Sequence, residues 1–389
     1  MTMAFDPESC RRQFPALQRQ VDGQPVVYFD GPAGSQVPAA VIEAVGRYLG
    51  TTNANHGGNF LTSLESDAIL AEAHRAAADF VGSGEPDLVA FGANMTTLTF
   101  ALSRALAATW QAGDEVVVTS SAHDANFTPW QRAAADAGAL VKVVDIDPGD
   151  GTLDLDDLAA KLSSRTRLVA LACASNFSGT IHPVEKITRL AHDCGAQVFL
   201  DAVHYAPHAP LSVEEWGCDF LVCSAYKFFG PHVGLLWGRR RWMEELPAYK
   251  VRPAGDSSPD RWMTGTQNHE GIAGTLAAID YLAGLSCAGQ ESANRREALL
   301  ATWKLLAEYE RGLLRQLLDG LAGVAGLKVW GITDPGRQDQ RVPTVSFTIK
   351  GASSEEIDRH LASRGIFAWC GNFYALPLSE ALGLEPDGA

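Results

Sequence analysis

Two side chains that can do carbonyl and acid–base chemistry each follow an apolar run of the sequence. Lys227 comes after the run Phe220–Ser224 and a short turn, and Gly230-Pro231 follows it. Asp201 ends an earlier apolar run, Ala196–Leu200. A buried lysine amine can form a Schiff base with an aldehyde, and a buried aspartate can keep a pyridine nitrogen protonated. Together they are what an enzyme that uses pyridoxal phosphate requires.

Alternating strands and helices must position these two side chains. Helices are predicted over residues 36–50 and 63–81, and strand-like runs cover Asp114–Thr119, Leu140–Ile146, Arg167–Ala174, Ala196–Leu200 and Phe220–Ser224. Runs that are apolar on consecutive residues suit strands covered on both faces, and the alternation with helices indicates a mostly parallel sheet in an α/β fold. Such sheets bind ligands at the carboxyl ends of their strands.

The last quarter of the chain has a different pattern. A long helix is predicted over Glu291–Leu321, a half-exposed strand over Thr344–Ile349, and a final helix that opens on the capping box Ser353–Glu356 and stops at Gly365. We therefore expect an N-terminal segment (1–25) packed on the small domain, a large cofactor-binding domain (26–285) and a smaller α+β C-terminal domain (286–389).

Composition excludes several classes of protein. The chain has 389 residues, 46% hydrophobic and 20% charged, which is typical of a globular protein. Its formal charge of -15 argues against nonspecific nucleic-acid binding. No apolar stretch is long enough to span a membrane, and the first residues lack the blocks of a signal peptide, so a cytoplasmic location is expected. Seven cysteines without a CxxC pair suggest buried thiols in a reducing compartment.

Polar loops follow several of the predicted strands and point to one site. They are Gly92–Thr97, Ser120–Asn126, Ser175–Thr180 and Asp201–His204. The first precedes a helix, and backbone N–H groups at a helix start can hold a phosphate. His204 and His208 have the spacing of a helical zinc pair, but Pro207 would break the helix, so no metal site is expected.

At these motifs, from about Phe29 to Leu378, the chain resembles the class V aminotransferase family, in its cysteine desulfurase-like branch. The family's Ser-x-His-Lys block and following Gly-Pro match Ser224–Lys227 and Gly230-Pro231, with Tyr226 in place of histidine. Three further motifs, Asp-x-x-Gln, Glu-His-x-Ala-Asn and Gly-Thr-x-Asn, match Asp201–His204, Ala122–Asn126 and Gly265–Asn268. The resemblance implies a pyridoxal phosphate enzyme of fold type I.

The resemblance also implies roles for individual residues. Lys227 would bind the cofactor aldehyde and move protons at the substrate α-carbon, Asp201 would pair with the pyridine nitrogen, and His123 would stack on the ring. The other implied cofactor contacts are Asn176 and His204 at the phenolic oxygen, and Ala93, Asn94, Ser224 and Tyr226 at the phosphate. Thr266 would reach the phosphate of a partner subunit, which implies a homodimer, and His56 would line the substrate mouth.

The match fails at two places that decide the chemistry. Cysteine desulfurases carry a nucleophilic cysteine, and that position falls on Tyr374, while a nearby family arginine falls on Trp369. Cys370 lies four residues before Tyr374, and a packing role is expected for it.

The second difference concerns the arginine with which family members grip the substrate carboxylate. No Arg or Lys follows Arg364 in this sequence. The sequence also ends where relatives continue, so its C-terminal domain is expected to be shortened. Arg252 and Arg261 are candidate replacements, with ordinary surface ion pairs as the alternative.

Three functions stay open from the sequence. The first is a lyase that breaks the carbon–sulfur bond of cysteine or an S-substituted cysteine by α-proton removal and β-elimination, because elimination needs no catalytic cysteine. The second is an aminotransferase, an epimerase or a decarboxylation-coupled deaminase acting at the same carbon of a small amino-acid substrate. The third is a dimer that binds the cofactor without catalysis.

Overall fold

A seven-stranded sheet forms the centre of the chain in the computed structural model, which describes residues 5–286 and 294–389. The spatial order of its strands is β4-β10-β9-β8-β7-β5-β6. All neighbours are parallel except β10, which runs antiparallel to both β4 and β9. The strands of the sheet are β4 (Val89–Gly92), β5 (Glu115–Thr119), β6 (Leu140–Val144), β7 (Thr166–Ala172), β8 (Gln197–Asp201), β9 (Phe220–Ser224) and β10 (Gly234–Gly238).

Within residues 5–286 and 294–389, three two-stranded sheets lie outside the central one. β1 (Gln20–Val21) pairs with β2 (Gln24–Pro25), β11 (Leu327–Trp330) pairs with β12 (Ser346–Ile349), and β3 (Val27–Tyr28) pairs with β13 (Ile366–Phe367). The last pair is parallel and joins the N-terminal part of the chain to its C-terminal part.

Helices cover the sheet and build the C-terminal part. They are α1 (Pro7–Arg11), α2 (Ala39–Arg47), α3 (Leu61–Val81), α4 (Met95–Ala107), α5 (Thr128–Ala137), α6 (Leu155–Lys161), α7 (Val184–Asp193), α8 (Val213–Trp216), α9 (Arg240–Glu245), α10 (His269–Ser286), α11 (Arg295–Ala322), α12 (Ser354–Ala362) and α13 (Leu376–Ala381). None of the helices in the described ranges has the length and apolarity to span a bilayer.

The predicted elements form with small shifts in their ends. The predicted helix over 36–50 begins at Ala39, after Pro38, and passes into a π-helix over Tyr48–Thr52. The capping box at Ser353 is present, with the Glu356 carboxylate accepting from the Ser353 N–H. The predicted long helix begins at Arg295, and its expected start at Glu291 lies outside the described residues.

The main core lies between the sheet and its helices. Strands β5, β7, β8 and β9 are buried at nearly every residue, as the continuous apolar runs predicted. Cys173, Cys218 and Cys223 are buried thiols of this core, whereas Cys10, Cys194 and Cys370 are half-buried. Cys287 lies outside the described residues.

The N-terminal segment makes contacts with several parts of the chain. Phe14 packs edge-on against Phe229 and Tyr281, with ring centroids 5.2 and 5.6 Å apart. Phe5 packs against Tyr309 of α11 at 5.0 Å. The division into three units at residues 25 and 285 stays a prediction.

Candidate active site

Lys227 stands at the carboxyl edge of the central sheet. Strand β9 ends at Ser224, and one 3-10 turn over Ala225–Lys227 presents the lysine. The turn folds back tightly, because a Cβ on Gly230 would lie 2.7 Å from that of Ala225. The lysine Nζ donates a hydrogen bond to the carbonyl of Pro32. Burial lowers the pKa of Lys227 to about 8, and the Asp201 carboxylate opposes that shift. An amine with such a pKa is available as a nucleophile or base near neutral pH.

Asp201 is the last residue of β8, the strand next to β9. Its side chain is 5% exposed, and its Oδ1 accepts a hydrogen bond from the N–H of Val203 at 2.9 Å. Burial raises the pKa of Asp201 to about 6, while the Val203 N–H and the Lys227 charge lower it. A buried carboxylate is costly without a cationic partner, so this position favours a bound group that carries a protonated nitrogen.

His123 lies in the loop after β5 and is held as a neutral ring. Its Nδ1 accepts a hydrogen bond from the N–H of Ala125 at 3.0 Å, which leaves the proton of the neutral imidazole on Nε2. Burial lowers the pKa of His123 to about 4; the Lys227 charge lowers it further, and Asp124 opposes the shift. A flat, uncharged ring next to Lys227 can stack on an aromatic cofactor.

The start of α4 forms an anion cradle beside the lysine turn. Asn94 caps the helix, since its Oδ1 accepts from the Thr97 N–H at 2.9 Å. The Met95 N–H donates to the Ser224 hydroxyl at 3.0 Å. A Cβ on Gly234 would lie 2.3 Å from the Asn94 carbonyl carbon, so only glycine lets β10 approach this closely. The helix N-terminus and the serine hydroxyl suit a phosphate, and the donor set therefore fits the phosphate of pyridoxal phosphate.

Asn176 and His204 each use one polar atom for a contact with the C-terminal part of the chain. Asn176 Nδ2 donates to the carbonyl of Phe373 at 2.8 Å, and His204 Nε2 lies 2.7 Å from the Thr344 hydroxyl. Burial lowers the pKa of His204 well below its ordinary value. A bond from His204 to a cofactor oxygen therefore has to come from Nδ1, and the role of both residues there stays a prediction.

The remaining predicted residues divide into two groups. Ala93 precedes the α4 cap, and the Tyr226 ring lies 5.3 Å from Lys227 Nζ and stacks on His232 at 5.2 Å. Thr266, His56 and Arg252 are exposed on surface loops, and the His56 ring lies 6.1 Å from that of His269. The structure thus brings Lys227, Asp201, His123 and the cradle together, while the roles of the three exposed residues stay predictions.

Arg261 is committed to the protein backbone. Its Nη2 donates to the carbonyl of Leu246 at 2.7 Å, and its Nη1 donates to the carbonyl of Glu244. Both carbonyls belong to the end of α9. From the sequence, Arg261 was considered either as a residue that binds the substrate carboxylate or as part of a surface ion pair. Its contacts with two backbone carbonyls differ from both.

The turn that carries Tyr374 contacts the site directly. Phe373 and Tyr374 both have left-handed backbone conformations, with φ of 53° and 57°, which cost roughly 1–2 kcal/mol per residue. The carbonyl of Tyr374 accepts from the N–H of Asp124 at 2.6 Å. Its ring stacks on His123, with centroids 5.5 Å apart and planes inclined by 21°. An aromatic ring therefore lies beside His123 at the position that the sequence resemblance matched to the family's nucleophilic cysteine, and that match stays a prediction.

Cys370 is not prepared for nucleophilic attack. Burial raises the pKa of its thiol, and the nearby carboxylates of Asp358 and Glu355 raise it further. Those two acids belong to α12, so the thiol faces a different element from the one that carries His123. A protonated thiol in acidic surroundings is a weak nucleophile.

Sequence reasoning missed several residues that build the site. Pro32 contacts Lys227, Thr344 contacts His204, and a buried pair formed by Ser121 and His182 lies 2.9 Å apart at the start of the His123 loop. Pro32, Thr344 and His182 come from distant parts of the chain and belong to none of the motifs found in the sequence. Ser121 lies in the polar loop Ser120–Asn126, but its pairing with His182 had no signal in the sequence.

Comparison with known proteins agrees with this geometry. Residues 27–387 match the family described as aminotransferase class-V. The chain belongs to the class V aminotransferase family. It is 32% identical to a cysteine desulfurase of Klebsiella pneumoniae over 97% of this chain and 91% of that protein. It is also 32% identical to an aminotransferase-like protein of Gibberella zeae, over 99% and 92% of the two chains.

Solved structures extend the similarity to the whole fold. An apo cysteine desulfurase from Thermococcus onnurineus superposes with a TM-score of 0.87 at 26% identity, covering 99% of this chain and 92% of that one. A cysteine desulfurase from Escherichia coli gives a TM-score of 0.82 at 25% identity, over 98% and 92%. The expected fold type I architecture of pyridoxal phosphate enzymes is thereby confirmed, and the family is one of enzymes that depend on this cofactor.

Proposed function

We propose that this chain binds pyridoxal phosphate and cleaves the carbon–sulfur bond of cysteine or an S-substituted cysteine by β-elimination. The observation that carries the proposal is the phenol of Tyr374 stacked beside His123. The sequence resemblance matches this position to the nucleophilic thiol of the family. Cys370, with its raised thiol pKa, is no substitute. An elimination fits this site because it uses an amine base and an electron sink but no sulfur nucleophile.

Each residue of the site would have a separate role toward the cofactor or the substrate. Bound pyridoxal phosphate would supply an electron sink for the pair left on the substrate α-carbon. Asp201 would pair with its ring nitrogen, His123 would face its ring, and the α4 start with Ser224 would hold its phosphate. The Lys227 amine would carry the aldehyde before substrate binds and would then take the α-proton.

The atoms of the reaction balance without a further reactant except water. The α-proton passes to the Lys227 amine, and the carbon–sulfur bond breaks with both electrons leaving on sulfur. The sulfur takes up a proton and departs as sulfide or thiol. The three-carbon enamine that remains is hydrolysed by water to pyruvate and ammonia.

Product analysis tests the proposal. The cofactor-loaded protein is incubated with cysteine and with S-methylcysteine, and the expected products are sulfide or methanethiol together with equal amounts of pyruvate. Lys227→Ala should lower the rate of formation of both products about a thousandfold, whereas Cys370→Ser should leave it unchanged. A protein-bound persulfide on Cys370 would contradict the elimination.

A second candidate is a transfer or deamination at the same α-carbon: transamination, epimerisation or decarboxylation-coupled deamination. It is favoured by the backbone contacts of Arg261, which occupy the guanidinium that was a candidate to grip the substrate carboxylate. A carboxylate that is not held by the planar fork of an arginine can be treated differently in the reaction. Amine transfer to a keto acid, loss of optical activity or release of carbon dioxide would each support it. A cofactor spectrum that no amino acid changes would instead indicate a non-catalytic binding dimer.

We also propose a homodimer in which Thr266 contacts the phosphate bound by the partner. Thr266 is exposed, and the apolar side chains of Phe60, Leu61 and Leu64 at the start of α3 are exposed too. Light scattering should give twice the chain mass. Thr266→Ala should weaken cofactor binding without changing that mass. The cytoplasmic location stays a prediction.

A further inference from the structure

The ring of Tyr374 lies on His123 although most of its surface is open to solvent. The two rings are nearly parallel, inclined by 21° at 5.5 Å, and Tyr374 is 74% exposed. An exposed ring makes few packing contacts that could fix its rotamer. The position of the Tyr374 ring therefore depends on the backbone of the turn that carries it.

Three sets of bonds tether that turn. The Asp124 N–H donates to the Tyr374 carbonyl at 2.6 Å, and Asn176 Nδ2 donates to the Phe373 carbonyl at 2.8 Å. Gly371 and Ala389 exchange two backbone hydrogen bonds of 3.0 Å. Phe373 also packs against the fully buried Phe177 at 5.3 Å. Such tethers are what hold two consecutive non-glycine residues in the left-handed region.

Tyr374 and Lys227 are both neighbours of the His123 ring. The phenol ring of Tyr374 stacks on the imidazole and remains open to solvent itself. The charge of the buried Lys227 amine lowers the pKa of His123.

We propose that Tyr374 is a positioning residue that clamps His123 from its solvent side and so fixes the plane on which the cofactor ring packs. The proposal rests on the proposed function only for the identity of the ligand as pyridoxal phosphate. Tyr374 acts through the imidazole: it keeps water off one face and restrains the ring that the Ala125 N–H already orients through Nδ1. The aromatic ring performs this role, and the hydroxyl does not.

Two variants separate the ring from the hydroxyl. Tyr374→Phe keeps the stacked ring, and Tyr374→Ala removes it. Trp369→Ala removes another exposed aromatic ring, 60% exposed, from the same segment and serves as the control. Thermal unfolding confirms that each variant folds.

The first measurement uses the cofactor-free protein, so it does not depend on the proposed function. The chain has 10 histidines, and NMR of protein labelled on histidine resolves the His123 titration once His123→Gln has assigned its signal. The charged and titratable groups around the ring are Lys227, Asp124 and His204. In Tyr374→Ala water reaches the ring, and its pKa should rise toward the ordinary histidine value. In Tyr374→Phe and Trp369→Ala the pKa of His123 should equal that of the unchanged protein.

The second measurement is the equilibrium affinity for pyridoxal phosphate. Tyr374→Ala should weaken it about two- to tenfold, the worth of one aromatic contact, and Tyr374→Phe should match the unchanged protein. Tighter binding in Tyr374→Ala would overturn the proposal, since the ring would then occupy the cofactor's own place. An unchanged His123 titration in Tyr374→Ala would overturn it as well. If the His123 pKa rises in Tyr374→Ala but the protein never binds pyridoxal phosphate, the proposed function is wrong and the positioning role of Tyr374 is still supported.

Discussion

The Asp201 carboxylate and the Lys227 amine lie at the same edge of the central sheet and act on each other's charge. Asp201 is paired in register with Val222 of the neighbouring parallel strand, one turn before the lysine. The carboxylate raises the pKa of Lys227 and the amine lowers that of Asp201, while burial acts against the charged form of both. Two buried groups in this relationship are typical of a catalytic site and unusual in a structural core.

We expect Lys227 to be the single point of covalent attachment for the cofactor. Borohydride reduction of the loaded protein should fix the cofactor on the peptide that contains Lys227, as detected by mass spectrometry. Lys227→Ala should lose this label and lower the turnover about a thousandfold, because the amine is also the proton acceptor. Lys250→Ala, which removes a lysine paired with Asp256, is the matched control and should keep the label. A label on any other lysine would contradict the assignment.

The rate of cofactor uptake should depend on pH through the Lys227 amine. Only the unprotonated amine adds to an aldehyde, and the pKa of Lys227 is about 8. The rate should therefore rise about tenfold per pH unit below 8 and level off above it. Stopped-flow absorbance of the cofactor-free protein mixed with pyridoxal phosphate measures this profile.

Asp201→Asn should shift the pH profile of cofactor uptake to lower pH. The carboxylate raises the pKa of Lys227, so its removal lowers that pKa, and the plateau should begin at a lower pH. The same variant should lose most of its turnover, because an amide cannot hold a proton on the ring nitrogen. A plateau that moves to higher pH in Asp201→Asn would contradict the coupling of the two groups.

The placement of Asp201 and Lys227 at the ends of two strands was predictable from the sequence, for a local reason. Each of the strands β8 and β9 is a short apolar run bounded by polar residues, so the positions of Asp201 and Lys227 at their ends follow from the pattern alone. The loop Gly92–Thr97 was expected to precede a helix, and α4 begins within it at Met95, with Asn94 as its cap. Periodicity and capping act within a few residues, and a single sequence shows them.

Contacts between distant segments were not predictable in this way. His204 meets Thr344, 140 residues later, and Asn176 meets Phe373, 197 residues later. Neither pair has a local pattern, because the packing of the C-terminal part on the sheet alone brings its members together. The antiparallel strand β10 within a parallel sheet is a similar case, since pairing order is a property of the whole fold.

Gly234 should be essential to the anion cradle. In Gly234→Ala the new Cβ would lie 2.3 Å from the Asn94 carbonyl carbon, so β10 or the start of α4 has to move. We expect the affinity for pyridoxal phosphate to fall at least about tenfold and the free energy of unfolding to drop by roughly 1–3 kcal/mol. Gly312→Ala in α11, where the added Cβ meets open space, should stabilise the chain by about 0.5–1 kcal/mol and leave cofactor affinity unchanged. An equal effect of the two changes would contradict the cradle.

Arg341 should hold the C-terminal part of the chain against the site. Its buried guanidinium donates to the carbonyls of Ile332, Ser178 and Thr344, and burial lowers its pKa to about 10. Thr344 is also the partner of His204, so the arginine fixes a residue that contacts the site. Arg341→Met leaves these carbonyls without a donor and should lower the free energy of unfolding by roughly 3–5 kcal/mol, measured by denaturant titration.

Arg341→Lys separates charge from geometry in the same test. Lysine keeps the positive charge, but its ammonium replaces the planar fork with three donors on one nitrogen. We expect it to recover only part of the lost stability and to leave the affinity for pyridoxal phosphate between those of Arg341→Met and the unchanged protein. Full recovery by lysine would mean that the charge alone stabilises this junction, because a point charge would then serve the three carbonyls as well as the fork does.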